Sequence, residues 1–266
     1  MVLRVENLTK RYNETTALSE VSFEIPDGTF AVVLGESGAG KSTLLRILNG
    51  LTEPTAGSVY IDDEEITNSR SDVGMVFQQH NLVEELSAYS NALTGTLNRT
   101  GFLRSLLSRQ PADEKELALE ALETVGLLDE AGQTVNSMSG GQQQRVGIAR
   151  ALVQQPELLL ADEPVASLDP SSAETVMAYL RETADKRDLT TLASLHQVNI
   201  AREFGEQFIG LKQGRVVFTG SREDLTPDVL EEIYGHIETE ELREEPKQEA
   251  VIEVDSEETT GIGIKL

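Results

Sequence analysis

Val21, Phe23 and Ile25 alternate with polar neighbours, the two-residue period of a half-buried strand, and Pro26-Asp27-Gly28 behind them supplies a turn. Phe30–Leu34 is then a short run with no polar residue, suited to a buried strand. From Lys41 the spacing becomes helical: Leu44, Leu45 and Leu48 share one side, and Gly50 is placed to end the helix. Residues 58–61 and 73–77 read as further strands, separated by polar turn material over 62–71. Between residues 81 and 138 the strand signals vanish. There Ala118, Ala121, Leu122 and Val125 fall at i, i+3, i+4 and i+7, and Gly126 follows as a stop, so the stretch reads as a helical insert. Strand and helix then alternate again, through residues 158–161, a helix carrying Ala173, Val176, Met177 and Leu180, residues 190–194, and a hairpin turning near Gly214. That alternation predicts an α/β chain with a largely parallel sheet.

Composition narrows the picture. The 266 residues are 39% hydrophobic, enough for one large core or two lobes, so the expectation is one unit over 1–236 with a helical subdomain inserted at about 81–150. From residue 237 onward there are ten acids against three bases and no sustained apolar period, which predicts a solvated acidic tail over 237–266. With no cysteine and three scattered histidines, a disulfide framework, a thiolate site and a structural zinc cage are all excluded. The start does not resemble a signal peptide and no run is long enough to span a bilayer, so membrane contact is expected only through partners. A formal charge of −24, spread along the chain, disfavours nucleic acid and anionic lipid as partners. The same charge suits high salt, where screening relieves self-repulsion, and points to a halophilic prokaryote.

Three motifs carry chemistry. Gly35-Glu36-Ser37-Gly38-Ala39-Gly40-Lys41-Ser42 fits G-x-x-x-x-G-K-[ST] between a buried strand and a helix, the context the motif requires. Its amides and the helix N-terminus make an anion cradle, with Lys41 in reach of β and γ phosphates and Ser42 able to ligand Mg²⁺. Leu158-Leu159-Leu160-Ala161-Asp162-Glu163 is an apolar strand ending in two carboxylates. Asp162 is expected to hold Mg²⁺ beside a phosphate loop on a neighbouring strand, which frees Glu163 to orient or deprotonate a water. Ser139-Gly140-Gly141-Gln142 opens a helix with consecutive amides and a hydroxyl, a second anion-receptive surface far along the chain.

In this order and spacing the motifs resemble those of ATP-binding-cassette ATPases, over about residues 2–220. The resemblance implies the P-loop NTPase fold of that family: a mainly parallel core, an N-terminal antiparallel β-subdomain and the helical insert. It also implies ATP and Mg²⁺ as ligands. The nucleotide contacts would be Tyr12 on adenine, Gly35, Glu36, Ser37, Gly38, Ala39, Gly40, Lys41, Ser42 and Thr43 on the phosphates, and Ser139, Gly140, Gly141 and Gln142 from a second copy. The metal ligands would be Ser42, Gln78 and Asp162, and the catalytic groups Glu163, His196, Lys41 and Gln78, with Ser167-Leu168-Asp169 as the loop between lobes. The partners implied are a second copy closing on ATP, a transmembrane permease and an extracytoplasmic substrate-binding protein. The place implied is the cytoplasmic face of the cell membrane.

Within the family, Met75-Val76-Phe77-Gln78-Gln79-His80-Asn81-Leu82-Val83, Asp162-Glu163-Pro164-Val165-Ala166-Ser167-Leu168-Asp169-Pro170, Ser194-Leu195-His196-Gln197-Val198 and Arg104-Ser105-Leu106 resemble the ATPase subunit of phosphonate importers. Import of another anion or nutrient, such as phosphate, phosphite or an amino acid, stays open at this point. Met138, where the family's signature begins with leucine, and Glu36, where importers often carry proline, depart from the pattern. The insert between Ser42 and Ser139 is far shorter than the coiled coil of DNA-repair cassettes, and each motif occurs once, unlike translation cassettes. Glu163 argues against a non-catalytic nucleotide-binding module.

Overall fold

All five residues of β3 (Phe30–Leu34) are buried, and their side chains alternate between two separate cores: Phe30, Val32 and Leu34 enter one, Ala31 and Val33 the other. A strand covered on both faces must sit inside a layered α/β unit, and β3 does. The computed structural model describes residues 1–78, 81–98 and 112–235. Gln79, His80, Arg104, Ser105, Leu106 and the acidic stretch 237–266 lie outside these residues.

The central sheet has six strands in the order β10-β9-β3-β8-β7-β6, formed by β6 (Val73–Val76), β7 (Leu158–Asp162), β8 (Thr190–Leu195), β9 (Gln207–Lys212) and β10 (Arg215–Ser221) around β3. Every pairing is parallel except the edge hairpin of β9 with β10. A second, antiparallel sheet in the order β2-β1-β4-β5 joins β1 (Leu3–Tyr12), β2 (Thr15–Ile25), β4 (Ala56–Ile61) and β5 (Glu64–Glu65). β5 falls in the stretch expected to be turn. It pairs with Tyr60 and Ile61, a hairpin made by backbone pairing between exposed glutamates that carry no strand signal.

One core holds β1, β2 and β4 against α1 (Lys41–Leu48) and one face of the central sheet. The other packs the opposite face against α2 (Ala88–Leu93), α3 (Ala112–Thr124), α4 (Gly140–Leu152), α5 (Pro170–Arg187), α6 (Val198–Phe204) and α7 (Pro227–Tyr234). Between β6 and β7 the chain passes through α2, α3 and α4. In α3, Ala118, Ala121 and Leu122 are fully buried, and Val125 just beyond it is too, as their spacing predicts. α5 starts where Asp169 accepts a hydrogen bond from the Ser172 amide and Pro170 occupies the first turn, whose orphan amides need no proline donor. Among the described residues no helix is long and apolar enough to cross a membrane.

Leu122→Ala should therefore lower unfolding free energy by about 2–5 kcal/mol, because it empties a buried site. Leu119→Ala, on the same helix but 41% exposed, should change it by less than about 0.5 kcal/mol. Chemical denaturation of the two variants checks the assignment of the buried face.

Candidate active site

The phosphate loop leaves β3 at Gly35 and enters α1 at Lys41. Two of its glycines are demanded by close approach: a Cβ on Gly35 would lie 2.2 Å from the Leu211 carbonyl oxygen, and one on Gly40, at φ +107°, would lie 2.6 Å from that of Ala17. The loop is thus wedged between β9 and the β1–β2 hairpin. That hairpin also carries Tyr12, paired with Thr15, whose ring is exposed with the Lys10 ammonium 4.9 Å from its centroid. Glu36, Ser37 and Gly38 are exposed, Ala39 is buried, and Ser42 and Thr43 are half-buried in the first turn of α1.

Lys41 is only 4% exposed. Its Nζ donates to the carbonyls of Gly35 (2.7 Å) and Glu36 (3.1 Å) and lies 3.4 Å from the His196 ring nitrogens and 3.7 Å from Glu163 Oε1. Burial pushes the Lys41 pKa down, and the nearby carboxylates of Glu163 and Asp162 oppose that shift.

The two acids at the end of β7 divide their partners. Asp162 Oδ1 accepts from Ser42 Oγ (2.9 Å) and from Ser194 Oγ (3.0 Å). The sequence places Asp162 on a strand neighbouring the phosphate loop's; in the structure β8 lies between β7 and β3, with Ser194 opposite both Asp162 and Val33. Ser42 reaches Asp162 directly across β8, and the small Ser194 hydroxyl, bonded to Asp162, leaves that path open. Ser194 also accepts from the Glu163 amide (2.9 Å), where Glu163 sits at φ +47°, a left-handed conformation that disfavours a non-glycine residue by about 1–2 kcal/mol. Motif reading passed over the role of Ser194, although a serine in a fully buried strand is a visible signal.

Glu163 is the meeting point. Its Oε2 accepts from Gln78 Nε2 (2.9 Å), its Oε1 contacts His196 Nε2, and its side chain is 14% exposed. Gln78, His196, Lys41 and Glu163 thus come together from four separated chain segments, and Ser42 and Asp162 stand beside them. A hydroxyl next to a carboxylate is a hard oxygen donor set. No group of three or more His, Cys, Asp or Glu able to hold a metal exists among the described residues, so a cation held by Ser42 and Asp162 would complete its shell with substrate oxygens and water. That donor set fits Mg²⁺, which keeps waters and is bound through one or two protein oxygens plus phosphates.

Ser139-Gly140-Gly141-Gln142 forms a separate surface. Ser139 caps α4 in a reciprocal box: it accepts from the Gln142 amide (3.3 Å), while its own amide donates to Gln142 Oε1 (3.0 Å). Ser139 and Gly140 are exposed, and the two glycines abut Leu168 and Ser172 closely. No hydrogen bond or ion pair among the described residues joins this surface to Gly35–Ser42 of the same chain.

A parallel sheet with a glycine loop, a buried lysine and paired acids at its strand ends defines a phosphate-loop nucleoside triphosphatase, and comparison with known proteins places it among them. Residues 18–166 match the model of the ABC transporter family, and the chain belongs to that family. Its fold is the P-loop ABC type. A "Phosphonates import ATP-binding protein PhnC" of Halobacterium salinarum is 66% identical over 91% of this chain and 86% of its own length. A second such protein, of Haloquadratum walsbyi, is 61% identical over 89% and 84%; both organisms are halophiles. Among solved structures, a dimeric ATP-binding cassette in a post-hydrolysis state bound to ADP and Pi is 35% identical with a TM-score of 0.71, over 83% of this chain and 98% of that one.

Asp169 yields a pH prediction. Hydrogen bonds from the Ser172 and Ser171 hydroxyls and the Ser172 amide lower its pKa to about 2, so the folded state holds the carboxylate more tightly than the unfolded chain does. Its stabilising effect is complete above the unfolded carboxyl's pKa of about 4 and is lost as pH falls through about 2. Over that window the melting temperature of wild type should drop more steeply than that of Asp169→Asn, as followed by circular dichroism.

Proposed function

We propose that this chain is the ATP-hydrolysing subunit of a phosphonate importer, working as a pair of copies that close on ATP. One observation carries the catalytic half: the Glu163 carboxylate is held by Gln78, His196 and Lys41 at the mouth of the phosphate loop. The substrate half is supported by relatives up to 66% identical that are named as phosphonate-import ATP-binding proteins, since the transported compound does not touch a subunit of this kind.

In this reading the amides of the Gly35–Ser42 loop and Thr43, with the Lys41 ammonium, hold the phosphate oxygens, and the Tyr12 ring stacks on adenine. Ser42, Asp162 and Gln78 would be the protein ligands of Mg²⁺, which would supply neutralisation of the phosphate charge. Glu163 takes a proton from water as the water oxygen bonds to the γ phosphorus, and the electron pair of the broken P–O bond passes to the β-phosphate of the departing ADP. His196 holds the γ-phosphate and, through its contact with Glu163, ties the position of the base to the substrate. Ser139, Gly140, Gly141 and Gln142 of the second copy cap that phosphate, so its loss releases the pair. The helical stretch 81–150 and Gln78 serve as the permease-facing side, with an extracytoplasmic binding protein delivering the phosphonate. The subunit then resides at the cytoplasmic membrane face of a halophilic prokaryote.

Glu163→Gln should lower kcat by at least about 100-fold while leaving ATP affinity intact. With Mg²⁺ and ATP the variant should elute as a dimer on a sizing column. Wild-type turnover by it would remove Glu163 from the mechanism. The charge of −24 sets a second expectation: the melting temperature should rise as KCl is taken from millimolar to molar. A melting temperature that falls over the same range overturns the halophilic assignment.

A further inference from the structure

The last helix among the described residues, α7, reaches the phosphate loop through a tyrosine hydroxyl. Tyr234, the last residue of α7, places its phenol oxygen 3.3 Å from the Gly35 amide nitrogen and accepts that hydrogen bond. β3 makes its last ladder pairs at Leu34, with Leu195 and Gly210, so the Gly35 amide is the first along the chain without a sheet partner. The Gly35 carbonyl, on the other side of the same Cα, accepts the Lys41 ammonium at 2.7 Å. Tyr234 and Lys41 therefore hold the two peptide planes that flank a glycine, the residue with most backbone freedom to lose. Between them they fix the direction in which the chain leaves the strand for the anion cradle.

The helix that carries this oxygen is firmly seated without it. Leu230 and Ile233 are fully buried, Thr226 caps the first turn, and Lys212 Nζ donates to the Glu232 carbonyl at 2.5 Å. α7 also lies so close to β9 that a Cβ on Gly210 would sit 2.6 Å from Ile233. The phenol is thus a probe held on a rigid arm. Burial pushes its pKa up to about 12, so it stays neutral and adds no charge beside a phosphate site.

We infer that Tyr234 is a positioning residue for nucleotide binding: its phenol oxygen holds the Gly35 amide so that the loop is set for phosphate before ATP arrives. The inference rests on the reading of the Gly35–Ser42 loop as the ATP site, and it makes α7 part of that site. Among the described residues no hydrogen bond joins Tyr234 to Glu163, Gln78 or His196, so its effect belongs to affinity and not to the chemical step.

Tyr234→Phe keeps the ring and removes only the acceptor. It should raise KM for ATP, and Kd for a fluorescent ATP analogue, by about three- to tenfold while kcat stays within about twofold. Ile233→Val is the structural control: it thins the packing of the same helix by one methylene, leaves the phenol in place, and should lower the melting temperature with KM unchanged. An unchanged KM and Kd in Tyr234→Phe overturns the inference. An equal rise in Ile233→Val overturns it too, since loose packing would then account for the effect. The two readings fail separately. Wild-type protein that binds the analogue but does not hydrolyse ATP counts against the catalytic role of Glu163, while the affinity ratio of Tyr234→Phe to wild type still decides the role of Tyr234.

Discussion

A buried ammonium organises this molecule. Lys41 is almost fully withdrawn from water, and a lone charge so placed is costly unless it is surrounded by acceptors. The fold supplies them as the carbonyls of Gly35 and Glu36 from the loop that the lysine closes, and as the carboxylate of Glu163 from a strand two positions across the sheet. Loop, strand end and the His196 turn must therefore converge on one point. The loop's sharp glycine path, the left-handed backbone of Glu163 and the hydroxyl bridge of Ser194 are local expenses of that convergence.

Convergence is possible because the sheet is parallel at its centre. β3, β8, β7 and β6 all end at the same edge, so the residues that follow them, Gly35, His196, Glu163 and Gln78, gather without any strand having to turn back. The two cores on either side of the sheet hold these strand ends rigidly, and the site's groups act as a preorganised set. The cap of α4 stands apart from this edge. Its exposed serine and glycine make an anion-receptive surface, the one that the proposed closure of two copies on ATP would use.

Much of this was legible in the residues. The period of Val21, Phe23 and Ile25, the unbroken run Phe30–Leu34 and the spacing of Ala118, Ala121, Leu122 and Val125 announce strand, central strand and helix, because burial imposes the period of each element on the side chains that face a core. The phosphate loop was equally plain, since its chemistry is local: glycines, lysine and serine act within eight consecutive residues. β5 was invisible, being two exposed glutamates paired only through backbone, and Gly35's tether to Tyr234 joins residues too distant in sequence for any local pattern to record.

The amino-acid sequence by itself determined the elements, the phosphate loop, the capped glycine helix and the family to which they belong, because each is written in contiguous residues whose spacing matches a backbone period or a ligand's reach. Tertiary structure alone decided that β8 intervenes between β3 and β7, that Ser42 reaches Asp162 across it, and that Gln78, His196 and Lys41 all meet at Glu163. The order of strands in a parallel sheet is set by how crossover helices pack on its faces, a property of the assembled core that no single segment carries.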